Sequence, residues 1–210
     1  MNYYPLFIFL QDKPCVVVGG GRVAERKIAA LLSAGAKLAV ISPQCTEQIR
    51  KWVEEGKVRW EARNFQGEDI AGATIVIAAT DNPTINMEVY QSIGPGQWIN
   101  MVDRPDLCTF IVPSIVRRGD LTIAISTGGN YPGLSKKLRQ EMEAWIGDEY
   151  EEYTAFLGEV RRKIHSFSLD RKEKQELLSA LLDERFKEWT RTQNYKQRDT
   201  EVQKLLDQYC

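Results

Sequence analysis

Apolar positions along the chain change period several times, and the changes mark out strands and helices. Cys15-Val16-Val17-Val18 is a short unbroken apolar run, the pattern of a parallel strand covered on both faces. Three glycines end it. Residues 23–34 then predict a helix with Ala24, Ile28, Leu31 and Leu32 on one face, and Gly35 suits its left-handed C-terminal position. Residues 37–41 return to strand and stop at Ser42-Pro43. Residues 47–55 predict a helix with Ile49, Trp52 and Val53 on its apolar side, and 58–61 predict a short strand. Residues 74–79 form another buried strand. The turn Thr80-Asp81-Asn82-Pro83 follows, with Thr80 or Asp81 as N-cap of a helix over 84–92. Gly94-Pro95-Gly96 breaks the chain before a last strand, 98–102, which ends at Asp103.

This alternation calls for a doubly wound, mostly parallel α/β sheet with right-handed crossovers, a Rossmann-type domain over residues 1–112. Phe7-Ile8-Phe9-Leu10 reads as a short buried segment leading into it. The pattern then changes. Residues 109–116 and 121–126 predict two strands joined by Arg117-Arg118-Gly119-Asp120, and residues 113–147 form a small segment of short strands and a helix. Beyond it the pattern is helical, at 134–146, 150–165, 172–189 and 200–209, with Ser168 or Asp170 as a cap. Residues 148–210 are therefore read as a C-terminal helical domain, its Tyr150, Tyr153, Phe156, Phe186 and Trp189 packing helices together or against a partner.

Bulk chemistry narrows the function by exclusion. A net charge of -1 argues against a general nucleic-acid binder. The basic groups Arg117-Arg118, Lys136-Lys137-Arg139 and Arg161-Arg162-Lys163 read first as solvated surface. The opening MNYYPLFIFLQDKP has no basic n-region and too short an apolar run for a signal peptide or membrane span. Cys15, Cys45, Cys108 and Cys210 show no CxxC spacing, and the one histidine, His165, is far from all of them. Neither a metal site nor a disulfide framework is expected. Reduced thiols in a cytoplasmic protein fit this composition, with Cys15 as a small core residue.

The chemistry gathers at the glycine turn. Gly19, Gly21 and Ala24 match G-x-G-x-x-[G/A] between a strand and a helix. Gly19 permits the turn, Gly21 lets the backbone approach a pyrophosphate, and Ala24 keeps the helix close to the sheet. With Arg22 and Val23, the turn offers the unpaired N–H groups of a helix N-terminus to phosphate. After the second strand stand Ser42, Pro43 and Gln44. No acid is present there for the ribose hydroxyls of NAD, and no arginine for the 2′-phosphate of NADP, so that position leaves the cofactor open. Thr80 and Asp81 follow small residues at a strand end, where a cofactor lies close to backbone.

A carboxylate at the end of a sheet strand, Asp103, is positioned to take a proton in an oxidation that removes hydride and proton. A turn-forming role or an ion pair with Arg104 is the plainer alternative. Ser126-Thr127-Gly128-Gly129-Asn130 is a second polar, glycine-rich turn whose hydroxyls and N–H groups suit substrate carboxylates, with Lys136, Lys137 and Arg139 of the following helix adding charge. A well-capped connection before Pro132 is its plainer reading. His165, near a helix end, reads as a surface or packing residue.

Several segments together resemble the precorrin-2 dehydrogenase family, which includes the N-terminal part of siroheme synthases. They are Tyr4-Pro5-Leu6-Phe7, the stretch from Val18 to Lys27, Ala78-Ala79-Thr80-Asp81, Asn100-Met101-Val102-Asp103, Phe110-Ile111-Val112-Pro113-Ser114 and the stretch from Ser126 to Pro132. The likeness covers about residues 4 to 140. It implies oxidation of precorrin-2, a tetrapyrrole, to sirohydrochlorin with NAD as acceptor, because NAD-using members also lack the acid after the second strand. It places Asp103 on the family's key aspartate, Asn100 beside it among substrate contacts, and Thr127 where some members carry a substrate-binding serine. It further implies a homodimer formed through 113–147 and the helical domain. Some members also insert ferrous iron, and others are fused to a methyltransferase for which this chain is too short. Dehydrogenation alone is favoured. A non-catalytic NAD-sensing module is the competing reading, motivated by the missing acid at Ser42 and the lack of a tyrosine-lysine or histidine pair.

Overall fold

The computed structural model describes residues 3–209, in two compact units, Met1–Val112 and Pro113–Cys210. The first unit runs β1 (Pro14–Val18), α1 (Arg22–Ser33), β2 (Lys37–Ile41), α2 (Glu47–Glu54), β3 (Val58–Glu61), β4 (Ile75–Ala78), α3 (Pro83–Gln91) and β5 (Trp98–Met101). The strands form one parallel sheet in the order β3-β2-β1-β4-β5. The direction of winding reverses between β1 and β4, the kind of switch point at whose carboxyl ends open α/β sheets bind ligands.

The apolar run of β1 explains its central place. Cys15 and Val17 face a cluster with Ala24, Ile28 and Leu31 of α1 and Ile49 of α2. Val16 and Val18 face the opposite cluster with Ile70, Val89 of α3, Ile99 and Met101. Each fully buried aliphatic side chain here contributes about 1.5–3 kcal/mol. Cys15 is core, as the sequence suggests, and burial pushes its thiol up from the ordinary value. Gly35, at φ +75°, ends α1. The side chain of Thr46 caps α2 by accepting the Ile49 N–H at 3.3 Å.

The approach to β1 differs from expectation. Only Leu10 of the 7–10 segment is buried; Phe7 and Phe9 are 74% and 79% exposed. The alternation that would have made this a half-buried strand is absent, and no sheet strand pairs with it.

The second unit opens with a hairpin, β6 (Ser114–Arg118) and β7 (Leu121–Ile125), followed by α4 (Pro132–Trp145), α5 (Glu149–Ser166), α6 (Arg171–Ala180), α7 (Glu184–Arg191) and α8 (Tyr195–Leu206). Residues 109–113 are not strand. Thr109 is held beside β5 instead, its N–H on the Ile99 carbonyl at 2.9 Å and its hydroxyl accepting the Ile99 N–H at 2.8 Å. Arg117 and Arg118 belong to β6, pairing Thr122 and Leu121, so the turn is only Gly119-Asp120, with Gly119 at φ +53°. The single helix expected over 172–189 is two, because Asp183 caps a new helix by accepting the Arg185 N–H at 2.9 Å. The last helix begins at Tyr195 rather than at residue 200. Asp170, not Ser168, caps α6, in a reciprocal box with Glu173.

Tyr153, Phe156, Phe186, Leu177 and Val202 bring α5 to α8 together, with Phe156 stacked on Phe186 at 6.0 Å and Phe186 edge-on to Trp189 at 5.4 Å. Arg118 ties the hairpin to the helices through Asp148 at 3.1 Å and the Glu143 carbonyl at 3.3 Å. By contrast α4 buries only Ser135, leaving Leu134 and Trp145 exposed. No helix among the described residues is long and apolar enough to cross a membrane. Cys210 lies outside them.

Ile77 is 2% exposed at the centre of the sheet. Ile77→Ala is expected to lower unfolding free energy by about 2–5 kcal/mol in urea titrations. Ala30→Ser, on the exposed side of α1, should stay within about 0.5 kcal/mol of wild type.

Candidate functional site

The carboxyl ends of β2, β1, β4 and β5 set the candidate site residues on one rim. In the sheet register Val18 pairs with both Ile41 and Ala78, and Ala78 pairs with Met101. One residue further, Gly19 and Ala79 still bond back to Ile41 and Val18, and Asp103 comes two residues after Met101 at the end of β5. Neighbouring strands are about 4.8 Å apart, so the rim from Ser42 to Asp103 spans about 14 Å. That extent suits a dinucleotide laid across the strand ends.

The three glycines have different reasons for being glycine. Gly19 has φ +121°, and a Cβ on it would stand 2.3 Å from the Ala79 carbonyl oxygen. The turn therefore rests directly on the end of β4. Gly20, which the fingerprint treats as a variable position, is equally constrained: its Cβ would fall 2.0 Å from the Gln44 carbonyl oxygen. Its own carbonyl accepts the Thr46 N–H at 3.0 Å. Gly21 is extended, with φ -83°, and its Cβ would meet nothing within 4 Å. It faces open space at the start of α1, where no side chain caps the helix. A pyrophosphate would fill that space and meet the free N–H groups of Arg22 and Val23. Ala24, fully buried, brings the helix onto the sheet. The cradle fits a dinucleotide.

At the β2 end of the rim, Ser42 is half-buried and held by its backbone; its carbonyl accepts the Trp60 indole N–H at 2.9 Å. Pro43 is exposed. Arg22 stands at the mouth of a groove between α1 and α2 that also carries Arg26, Arg50 and Lys51, together with three glutamates.

At the other end, the cap of α3 is neither Thr80 nor Asp81. The side chain of Asn82 accepts the Thr84 N–H at 2.9 Å, and Pro83 takes the first helical position. Thr80 is instead gripped by Asn86, a fully buried polar residue that sequence reasoning passed over. Asp81 is exposed.

Asp103 is exposed, immediately past β5. Arg104 is not its ion-pair partner: the guanidinium binds Asp106 in two-pronged fashion, at 2.7 and 3.0 Å. That hydrogen bonding raises Arg104 above its usual value and lowers Asp106 below the usual carboxylate range. Asp103 makes no ion pair among the described residues, which leaves its carboxylate open to a ligand. Asn100, a candidate substrate contact, is 8% exposed, and its amide donates to the Phe110 carbonyl at 3.1 Å. Its donor serves the fold. The thiol of Cys108 accepts the Met101 N–H at 3.1 Å and pins the same segment to β5. Burial pushes that thiol up.

In the second unit, the Ser126–Asn130 turn has Gly128 and Gly129 at φ +63° and +87°. Ser126 accepts the Gly128 N–H at 3.0 Å. Thr127 turns inward, its hydroxyl 3.2 Å from that of buried Ser135 and accepting the Tyr131 N–H at 3.2 Å. Lys136 is exposed and makes no ion pair among the described residues, whereas Lys137 pairs with Glu141 and Arg139 with Glu143. His165 is exposed at the end of α5. No group of three or more His, Cys, Asp or Glu residues with metal-binding geometry occurs among the described residues.

Of the residues that sequence reasoning missed, only Gly20 carried a visible signal, three consecutive glycines. Asn86 and Cys108 carried none, because their roles depend on contacts across the loop.

A parallel sheet in this order, with a glycine turn and an uncapped helix N-terminus facing open space at its switch point, defines a dinucleotide-binding protein of Rossmann type. Residues 6–114 match the family model described as "Putative NAD(P)-binding", 118–144 the model "Sirohaem biosynthesis protein central", and 150–196 the "SirC C-terminal domain". The solved structure of SirC, a precorrin-2 dehydrogenase, is similar with a TM-score of 0.80 and 30% identity, over 96% of this chain and 100% of that one. The siroheme synthase of Nitrosospira multiformis is 42% identical over 80% of this chain and 37% of its own length. Siroheme synthase 1 of Aeromonas salmonicida is 38% identical over 87% of this chain and 39% of its own. The chain thus spans under two-fifths of the length of these siroheme synthases. It belongs to the SirC family of NAD(P)-binding sirohaem-biosynthesis proteins.

The glycines supply a test that separates folding from binding. Gly21→Ala is expected to change stability by no more than about 1 kcal/mol, the scale of an N-cap change, while weakening NAD+ binding at least about tenfold in calorimetry. Gly20→Ala should destabilise the fold itself, visible as a lowered unfolding midpoint without ligand.

Proposed function

We propose that the protein oxidises precorrin-2 to sirohydrochlorin with NAD+ as the acceptor. The observation that carries this reading is the single rim that sets the open hollow at Gly21 and the unpaired Asp103 two strands apart, in a chain whose relatives include a precorrin-2 dehydrogenase.

The reaction removes a hydride and a proton from the macrocycle. When bound, the nicotinamide supplies the hydride acceptor. The chain's residues hold the geometry. The N–H groups of Arg22 and Val23 would hold the pyrophosphate, Ser42 and Pro43 the adenosine ribose, and the Ala79–Thr80 backbone and Asp81 the nicotinamide end. Asp103 takes the proton, and a macrocycle lying over the rim excludes water from around it. In the second unit, the N–H group of Gly129, the hydroxyl of Ser126 and the ammonium of Lys136 offer donors to substrate carboxylates, with Gly128 turning the backbone between them. Thr127 contributes by shaping that turn, and Asn100 by fixing the segment after Asp103.

The reading extends to a cytoplasmic homodimer. The thiols of Cys15, Cys45 and Cys108 are free, as a reducing compartment requires. The exposed Leu134 and Trp145 of α4 and Ile115 of β6 support a covering partner copy around the 113–147 segment.

Purified protein with precorrin-2 and NAD+ is expected to yield sirohydrochlorin and NADH in equal amounts; NADH no higher than in an enzyme-free control would reject the reading. Asp103→Ala should retain the wild-type NAD+ affinity and lose about 100-fold or more in kcat, within the range of a lost general base. Full turnover in that variant would remove Asp103 from the chemistry. Light scattering should give twice the chain mass, and Trp145→Glu should shift it toward the monomer.

A further inference from the structure

Asn86 is the one fully buried polar side chain in the first unit's helices, with 0% exposure, and the oxidation chemistry leaves it without a task. Its amide does an unusual thing: every hydrogen bond it makes goes to one residue. Oδ1 accepts from the Thr80 N–H at 3.2 Å and from the Thr80 hydroxyl at 2.8 Å, and Nδ2 donates to the Thr80 carbonyl at 3.2 Å. Thr80 is thereby held at all three of its polar groups. Its hydroxyl also accepts the Asn82 N–H at 3.2 Å, and the Asn82 carbonyl, 3.0 Å away, is a second acceptor sharing its one proton.

The residue so held borders the glycine turn. A Cβ on Gly19 would reach Ala79 O at 2.3 Å and Thr80 N at 3.1 Å, so the position of Thr80 sets how closely the Gly19–Gly21 turn can sit against β4. Beyond Ala78 the partner strands end, and nothing in the sheet ladder fixes the backbone of Thr80. The Asn86 side chain stands in for the missing strand. A buried polar pair of this kind contributes little net stability compared with apolar replacements, but it fixes a geometry that apolar packing does not.

We infer that Asn86 is a positioning residue for the dinucleotide, acting through Thr80 to set how the glycine turn rests against the end of β4. The inference rests on the dinucleotide reading of that turn.

The test is NAD+ affinity in the full chain, measured by calorimetry well below each variant's unfolding temperature. Asn86→Ala is expected to raise Kd about tenfold, equivalent to about 1.4 kcal/mol. KM for NAD+ should rise in step, while kcat at saturating NAD+ stays within about threefold. Thr80→Val, which removes the hydroxyl from the half-exposed side, should weaken binding similarly, and Thr80→Ser should restore it. The Asn86→Ala, Thr80→Val double variant should bind no more weakly than the weaker single variant, because both break one clamp. An Asn86→Ala protein with lower thermal stability but wild-type Kd overturns the inference, as do additive losses in the double variant. If Asn86→Ala does not fold, equal NAD+ affinity in wild type, Thr80→Val and Thr80→Ser overturns it. Failure of the wild-type chain to bind NAD+ overturns the dinucleotide reading, and this inference with it.

Discussion

The backbone of Gly19 lies against the carbonyl of Ala79, and the arrangement of the whole rim follows from that contact. A side chain at residue 19 would need to occupy the space of the β4 backbone, 2.3 Å away. Because that space is backbone, no rotamer change relieves the clash. The contact sets the strand β1 end beside the β4 end, aims the α1 N-terminus over the sheet, and leaves Gly21 facing outward into open space. Gly20 repeats the constraint on the other side, against Gln44, so the turn is wedged between the loops that follow β2 and β4. A polar ligand gains from this rigidity because the N–H groups it binds are already oriented, and little ordering remains to be done on binding.

The unbroken apolar runs carried most of the first unit. Residues 15–18 and 74–79 have no polar face, and only a strand covered on both sides can bury them; the alternation with helical periods then allowed one sheet architecture. Propensity failed where tertiary contacts replaced the ladder. The 109–113 stretch is rich in β-formers, yet the hydroxyl of Thr109 and the thiol of Cys108 satisfy the β5 edge in place of a strand. Likewise Asp183 restarts a helix in the middle of a helical period, a side-chain competition with the backbone that periodicity does not register. Phe7 and Phe9 are apolar but exposed, and hydropathy alone placed them inside.

The site was legible as a motif and less so as geometry. The G-x-G-x-x-A spacing and the strand ending at Asp103 are local facts of sequence, and the register sets them on one rim. Which polar groups remain open to a ligand is not local. Arg104 turns to Asp106, Asn100 to Phe110, Thr127 to Ser135, and Thr80 to Asn86, so four residues that read as candidates or partners from sequence have their polar groups engaged inside the protein. What remains open, Asp103 and the Gly21 hollow, is the smaller set on which the proposed oxidation stands.

A crystal structure of the chain with NAD+ bound tests this most directly. The pyrophosphate should lie within hydrogen-bond distance of the Arg22 and Val23 N–H groups, with the adenosine toward Ser42 and the nicotinamide over the ends of β4 and β5, on the side of Asp103. A nicotinamide over β2 and β3, or a pyrophosphate that makes no contact with the first turn of α1, would contradict it.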